Sequence, residues 1–120
     1  MELKEAQNKI QAFDKARGWD NQWNMKDLLL NIMEEGGEMW NLVKWIDEEK
    51  QKKVVKENQI EVADYVGDTL YLILKIANQT GVDAAQALQS TLDEYERRMP
   101  ATTMKHVGHA NKLAGGVDNK

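Results

Sequence analysis

The stretch VVKENQIEVADYVGDTLYLILKIANQT, residues 54–80, decides the fold class. Ile60, Ala63, Gly67, Leu70, Leu74 and Ala77 recur along it at three- and four-residue steps, the spacing of an apolar seam on a long helix. Alternation of β-branched residues is rare throughout, so helical periodicity dominates. Gly81 fits the position just past a helix end, and Asp83 fits the N-cap of a further helix reaching Arg98. Upstream, Leu3, Ala6, Ile10 and Phe13 mark a first helix that ends near Gly18. After a turn at 19–23, Asn24 reads as an N-cap, with Asp27 in place of the usual capping-box Glu. The second helix is then expected over 25–46, and the charge-dense residues 47–53 read as a linker or a frayed helix start. The expectation is all-α: a four-helix bundle over residues 1–100, its core completed by oligomerisation. Residues 101–120, with Gly108, Gly115 and Gly116 and few large apolar side chains, read as a flexible tail or an arm that docks on a partner.

Composition narrows the function classes. With 120 residues, 42% apolar and 30% charged, the chain has the balance of one ordinary globular domain. No cysteine is present, which excludes a disulfide scaffold and fits a reducing, cytoplasmic setting. The N-terminus is charged at once, and no apolar run approaches the roughly 20 residues that cross a bilayer, so no membrane partner is expected. A net charge of −4 argues against a nucleic-acid surface, whose footprint is a basic patch, but not against a nucleotide bound with metal.

Two acidic clusters carry the chemistry. The first is Glu34-Glu35-Gly36-Gly37-Glu38 in the second helix, and the second is Glu61 and Asp64, with Asp68 one turn later, in the third. Positions three, four and seven apart share a helix side, so each cluster can aim its carboxylates at one point. Lys75 continues the second strip beyond Asp68. If the strips face each other, oxygen-only ligands suit Mg²⁺ or Mn²⁺, which would neutralise triphosphate charge during phosphoanhydride cleavage. The alternative is two solvated acidic flanks on amphipathic helices, and spacing alone supports both. Gly36 and Gly37 each cost on the order of 1 kcal/mol in a helix relative to Ala. Such a pair implies close approach of another backbone or a ligand, and favours the metal.

The same residues resemble the all-α nucleoside triphosphate pyrophosphohydrolases of the MazG type, marked by E-E-x-x-E on one helix and E-x-x-D on the next. Glu34-Glu35-Gly36-Gly37-Glu38 matches the first motif and Glu61-Val62-Ala63-Asp64 formally matches the second. Arg17-Gly18-Trp19-Asp20, Trp45 seven residues after Glu38, Asp68-Thr69-Leu70-Tyr71-Leu72, Gly81-Val82-Asp83 and Arg97-Arg98-Met99-Pro100 are similar to the dCTP-pyrophosphatase branch. The resemblance covers residues 1–100. It implies a house-cleaning or pool-control enzyme that cleaves a (d)NTP to (d)NMP and pyrophosphate with Mg²⁺, as a homodimer or homotetramer. It makes Glu35 and Glu38 metal ligands and Glu34 a group that assists the water.

In the second motif the register shifts. Counting back from Gly81-Val82-Asp83 puts the motif aspartate at Asp68, and the expected glutamate position is then Tyr65. Asp68 is therefore taken as a ligand, with Glu61 and Asp64 as a pair of which at least one coordinates. The family's lysine and asparagine on the last helix stand here as Thr91 and Tyr95, so Lys75, Arg97 and Arg98 are the cations left to meet phosphate. By resemblance Trp19 and Trp45 flank the base and Trp23 stands where a relative uses His; stacking on indole is worth about 1–3 kcal/mol per base. The opposing readings are a catalytically weak or inactive helical module that binds nucleotide or a protein partner, and a plain helical assembly module.

Overall fold

The computed structural model describes residues 1–120 and is entirely helical, with no strand. Six α-helices follow in order: α1 (Leu3–Ala16), α2 (Met25–Val43), α3 (Glu48–Glu57), α4 (Gln59–Thr80), α5 (Ala84–Arg98) and α6 (Ala101–Val107). A short 3-10 turn at Lys112–Ala114 comes last. No helix is long and apolar enough to cross a membrane. The chain divides into two compact units, Met1–Val82 and Asp83–Lys120.

In the first unit α4 is the central element and packs against both α1 and α2, while α3 lies against α2 and α4. The helix ends follow local chemistry. Asn24 caps α2 by accepting from the Asp27 backbone N–H at 3.0 Å, and Asp27 Oδ2 accepts from the Asn24 N–H at 3.4 Å. This is the capping box expected from the sequence, with Asp in place of Glu. Gly81 takes φ 71° and ends α4, and the Val82 N–H returns to the Ala77 carbonyl at 2.9 Å.

Two boundaries differ from expectation. The second helix stops at Val43 rather than reaching residue 46, because Lys44 is extended and Trp45 takes the left-handed φ of 66°. Asp47 then caps a new helix, accepting from the Lys50 N–H at 2.9 Å, so the charge-dense stretch is α3. The long third helix is itself interrupted at Asn58, whose side chain donates to the Val54 carbonyl at 2.7 Å in competition with the helical ladder. The apolar seam is buried only in its later half. Leu74 and Ala77 are inside, whereas Ile60 and Leu70 are exposed.

The second unit holds α5, capped by Asp83 as expected, together with everything after Pro100. Asp83 accepts from the Gln86 N–H at 3.1 Å. The chain end is tied to the end of α5: Arg98 donates from Nε and Nη2 to the two oxygens of Asp118 at 2.9 and 2.8 Å. The stretch read as a flexible or partner-docking arm thus has hydrogen-bonded contacts of its own inside this unit.

Candidate functional site

Pairing of α2 with α4 brings the two acidic strips onto one cavity of about 220 Å³. Glu35 and Glu38 reach it from α2, and Glu61, Asp64 and Asp68 from α4, with Tyr65 among them. Every metal-ligand candidate from the sequence is therefore in its lining. Glu34 is not; it is exposed and accepts from Asn31 Nδ2 at 3.5 Å. Tyr65, standing where the resembled motif has a glutamate, lines the cavity as a phenol.

The electrostatics show crowding. The Glu35 carboxyl is pushed above the ordinary glutamate range, first by burial, then by the negative charges of Asp68, Glu38 and Glu34. A cation would relieve that repulsion, and the all-oxygen donor set suits Mg²⁺ or Mn²⁺. As the side chains stand, no three acidic or imidazole groups converge closely enough to enclose an ion. The donors thus fit in type and placement, and enclosure requires side-chain movement.

A second cavity, about 280 Å³, adjoins the first and shares Glu35 and Asp68 with it. Its apolar walls are Trp19, Trp23, Leu28, Tyr71 and Leu72, and Asp27 and Asn31 add polar atoms. Trp19 and Trp23 meet edge to face with centroids 5.1 Å apart, and Phe13 packs edge-on against Trp19 at 5.9 Å. Of the expected aromatic residues these two are brought to the site. Trp45 lines neither cavity; it is 90% exposed beside Lys44, whose Nζ lies 4.7 Å from its ring centroid.

Lys75 departs most from the sequence reading. It lines neither cavity and is 1% exposed, donating to Asp14 Oδ2 at 2.9 Å and to the Trp19 carbonyl at 2.8 Å. Its ammonium also lies 4.7 Å from the Trp23 ring centroid. The other Asp14 oxygen accepts from the Tyr71 hydroxyl. Burial, and then the hydrogen bond and charge of Asp14, hold the Tyr71 phenol well above its usual range. The role the structure gives Lys75 is to join α1 and α4 to the Trp19–Trp23 loop from beneath. Arg97 and Arg98 belong to the second unit, where Arg97 Nη1 donates to the Asn119 carbonyl at 3.1 Å and Arg98 is paired with Asp118.

Asp14 and Asn31 were not singled out by sequence, and Asp27 and Tyr71 were read there only as a capping residue and as part of a resembled stretch, not as site residues. A signal for Asp14 existed: Gln7 and Asp14, seven apart, fall on the apolar side of α1 with Leu3 and Ile10, and both are buried. A buried aspartate needs a buried cation, and Lys75 is the charge that interrupts the apolar run 70–76.

Compared with protein families, with curated proteins and with solved structures, the chain shows no significant match to any of them.

Proposed function

We propose that this chain is a Mg²⁺-dependent nucleoside triphosphate pyrophosphohydrolase that cleaves a (d)NTP to (d)NMP and pyrophosphate. One observation carries the reading: an acidic cavity and an aromatic cavity lie side by side and share Glu35 and Asp68. A nucleotide has the same two ends, a polyphosphate that needs cations and a planar base that stacks. Glu35, Glu38, Glu61, Asp64 and Asp68 are the residues that would hold Mg²⁺, which supplies charge neutralisation for the phosphates and a more acidic water. The base enters the cavity lined by Trp19, Trp23, Tyr71 and Leu72, where the Asp27 carboxylate can accept from its edge and the Asn31 amide can donate to it.

Glu35 suits the role of general base. Its position on both cavities puts it near the join of base and phosphate. It takes a proton from the water that attacks the α-phosphorus; the α–β P–O bond breaks and pyrophosphate leaves. Self-association as a homodimer or homotetramer belongs to the same proposal. It is supported by a core of only Leu28, Leu72, Leu74 and Ala77 beside half-exposed Leu29, Met33, Trp40, Leu70 and Ile73.

The test is pyrophosphate release from a panel of NTPs and dNTPs with Mg²⁺, for wild type and Glu38→Gln. Release by the wild type, lost in the variant, is expected; no release from any nucleotide at high enzyme concentration removes the enzyme reading. A second reading, a nucleotide-binding module without catalysis, is favoured by the commitment of Lys75 to the core ion pair. Stabilisation by Mg²⁺ and a non-hydrolysable nucleotide, without turnover, would select it.

A further inference from the structure

The C-terminal unit ends in a built hook. Asn111 caps the 3-10 turn, its side chain accepting from the Leu113 N–H at 3.1 Å, and its carbonyl accepts from the Gly116 N–H at 2.8 Å. A Cβ at Gly116 would lie 2.5 Å from His109 Nδ1 and 2.6 Å from the Asn111 nitrogen, so only glycine closes this turn without displacing backbone. The Val117 N–H then bonds the His109 carbonyl at 3.1 Å, and the Asn119 N–H bonds the Arg98 carbonyl at 2.9 Å.

What the hook delivers is a carboxylate into an arginine fork. Asp118 accepts from Arg98 Nε and Nη2 at 2.9 and 2.8 Å, and the two side chains are only 16% and 20% exposed. Arg97 donates to the next residue's carbonyl, and the Arg98 hydrogen bond, against the cost of desolvation, holds the Asp118 carboxyl below the usual carboxylate range. Two parallel contacts from Nε and Nη2 are the geometry in which a planar guanidinium takes either a carboxylate or a phosphate. Glu94, at 3.7 Å from Arg98, is the only other anion paired with it.

We propose that Arg98, flanked by Arg97, forms an oxyanion site that Asp118 occupies as an internal pseudo-ligand, so that the hook and a phosphoryl anion compete for the same fork. That the oxyanion is a phosphoryl group rests on the nucleotide reading above. An internal occupant lowers apparent affinity by the fraction of molecules whose fork is open. Unseating the hook must therefore tighten anion binding, whereas loss of a purely structural staple would only weaken the unit.

The experiment is calorimetric titration of the full chain with inorganic pyrophosphate in EDTA. Asp118→Asn removes the competing charge, and Gly116→Val keeps the Asp118 carboxylate in the chain while obstructing the turn that seats it. Each should tighten pyrophosphate binding by about tenfold or more relative to wild type. Adding Arg98→Gln to either variant should abolish the gain. Unchanged or undetectable binding in both single variants, or a gain that survives Arg98→Gln, overturns the proposal. Because metal is absent, failure of the nucleotide hydrolysis assay and failure here are separate outcomes.

Discussion

At the residue scale, the two charges that matter most behave in opposite ways. Glu35 is ionised against resistance from its neighbours, and its folded-state pKa lies above the ordinary value. A carboxyl of that kind binds its proton more readily in the fold than in the unfolded chain. Its contribution to stability therefore grows as pH falls toward the carboxylate range and is lost as pH rises through the folded-state value. Glu35→Gln should raise the metal-free melting temperature at neutral pH, flatten the pH dependence below it, and shrink the stabilisation that Mg²⁺ gives the wild type. Thermal denaturation across pH, with and without Mg²⁺, checks all three. Lys75 is the reverse case, a buried charge fully partnered by Asp14 at 2.9 Å. Lys75→Met leaves Asp14 buried with only Tyr71 as donor, and should cost about 3–5 kcal/mol in urea denaturation. Because Lys75 also holds the Trp19 carbonyl, tryptophan fluorescence should shift before global unfolding.

At the element scale, the helices obey capping chemistry that reads directly from sequence at Asn24, Gly81 and Asp83. The break between α2 and α3 does not. Asp47 is a good N-cap and carried a visible signal, but nothing in the sequence marks Trp45 for a positive φ. Glycine is the residue suited to that conformation, and a non-glycine residue there costs roughly 1–2 kcal/mol. With its ring 90% exposed, Trp45 recovers little of that cost by burial. Trp45→Gly should therefore stabilise the protein by about 1 kcal/mol in equilibrium denaturation. A loss of nucleotide affinity in the same variant would show that Trp45 is strained for the sake of a ligand.

For the whole molecule, the decisive fact is how little is buried. The fully buried apolar residues are confined to Leu28, Leu72, Leu74 and Ala77, while Met33, Trp40, Leu70 and Ile73 stay open on α2 and α4. Apart from their chain neighbours and their own helix backbone, Gly36, Gly37 and Gly67 have no atom of this chain within 4 Å of where a Cβ would sit. The close approach implied by the glycine pair is thus not made within the chain. If a second copy makes it, Gly37→Ala should have two effects of opposite sign. Helix propensity favours the isolated chain by on the order of 1 kcal/mol, while sedimentation velocity should show weaker self-association. Leu70→Glu on the exposed part of the seam should give monomers outright. A wild type that sediments as a monomer at high concentration would refute the assembly.

The sequence by itself determined the helical class, most of the helix ends and the two acidic strips, because periodicity and caps are written in residues close together along the chain. It also placed five carboxylates on two helix sides that the structure joins in one cavity. Only the tertiary structure decided what each strip's neighbours do. Lys75, Asp14 and Tyr71 come together across 57 and 61 positions of chain, and no local pattern states that a lysine among leucines lies against an aspartate on another helix. Trp45 was turned outward by one backbone angle, and Arg98 was claimed by a carboxylate from the chain end. A charge spaced correctly on a helix is legible from sequence; whether it is open to a ligand depends on which partner the fold has already given it.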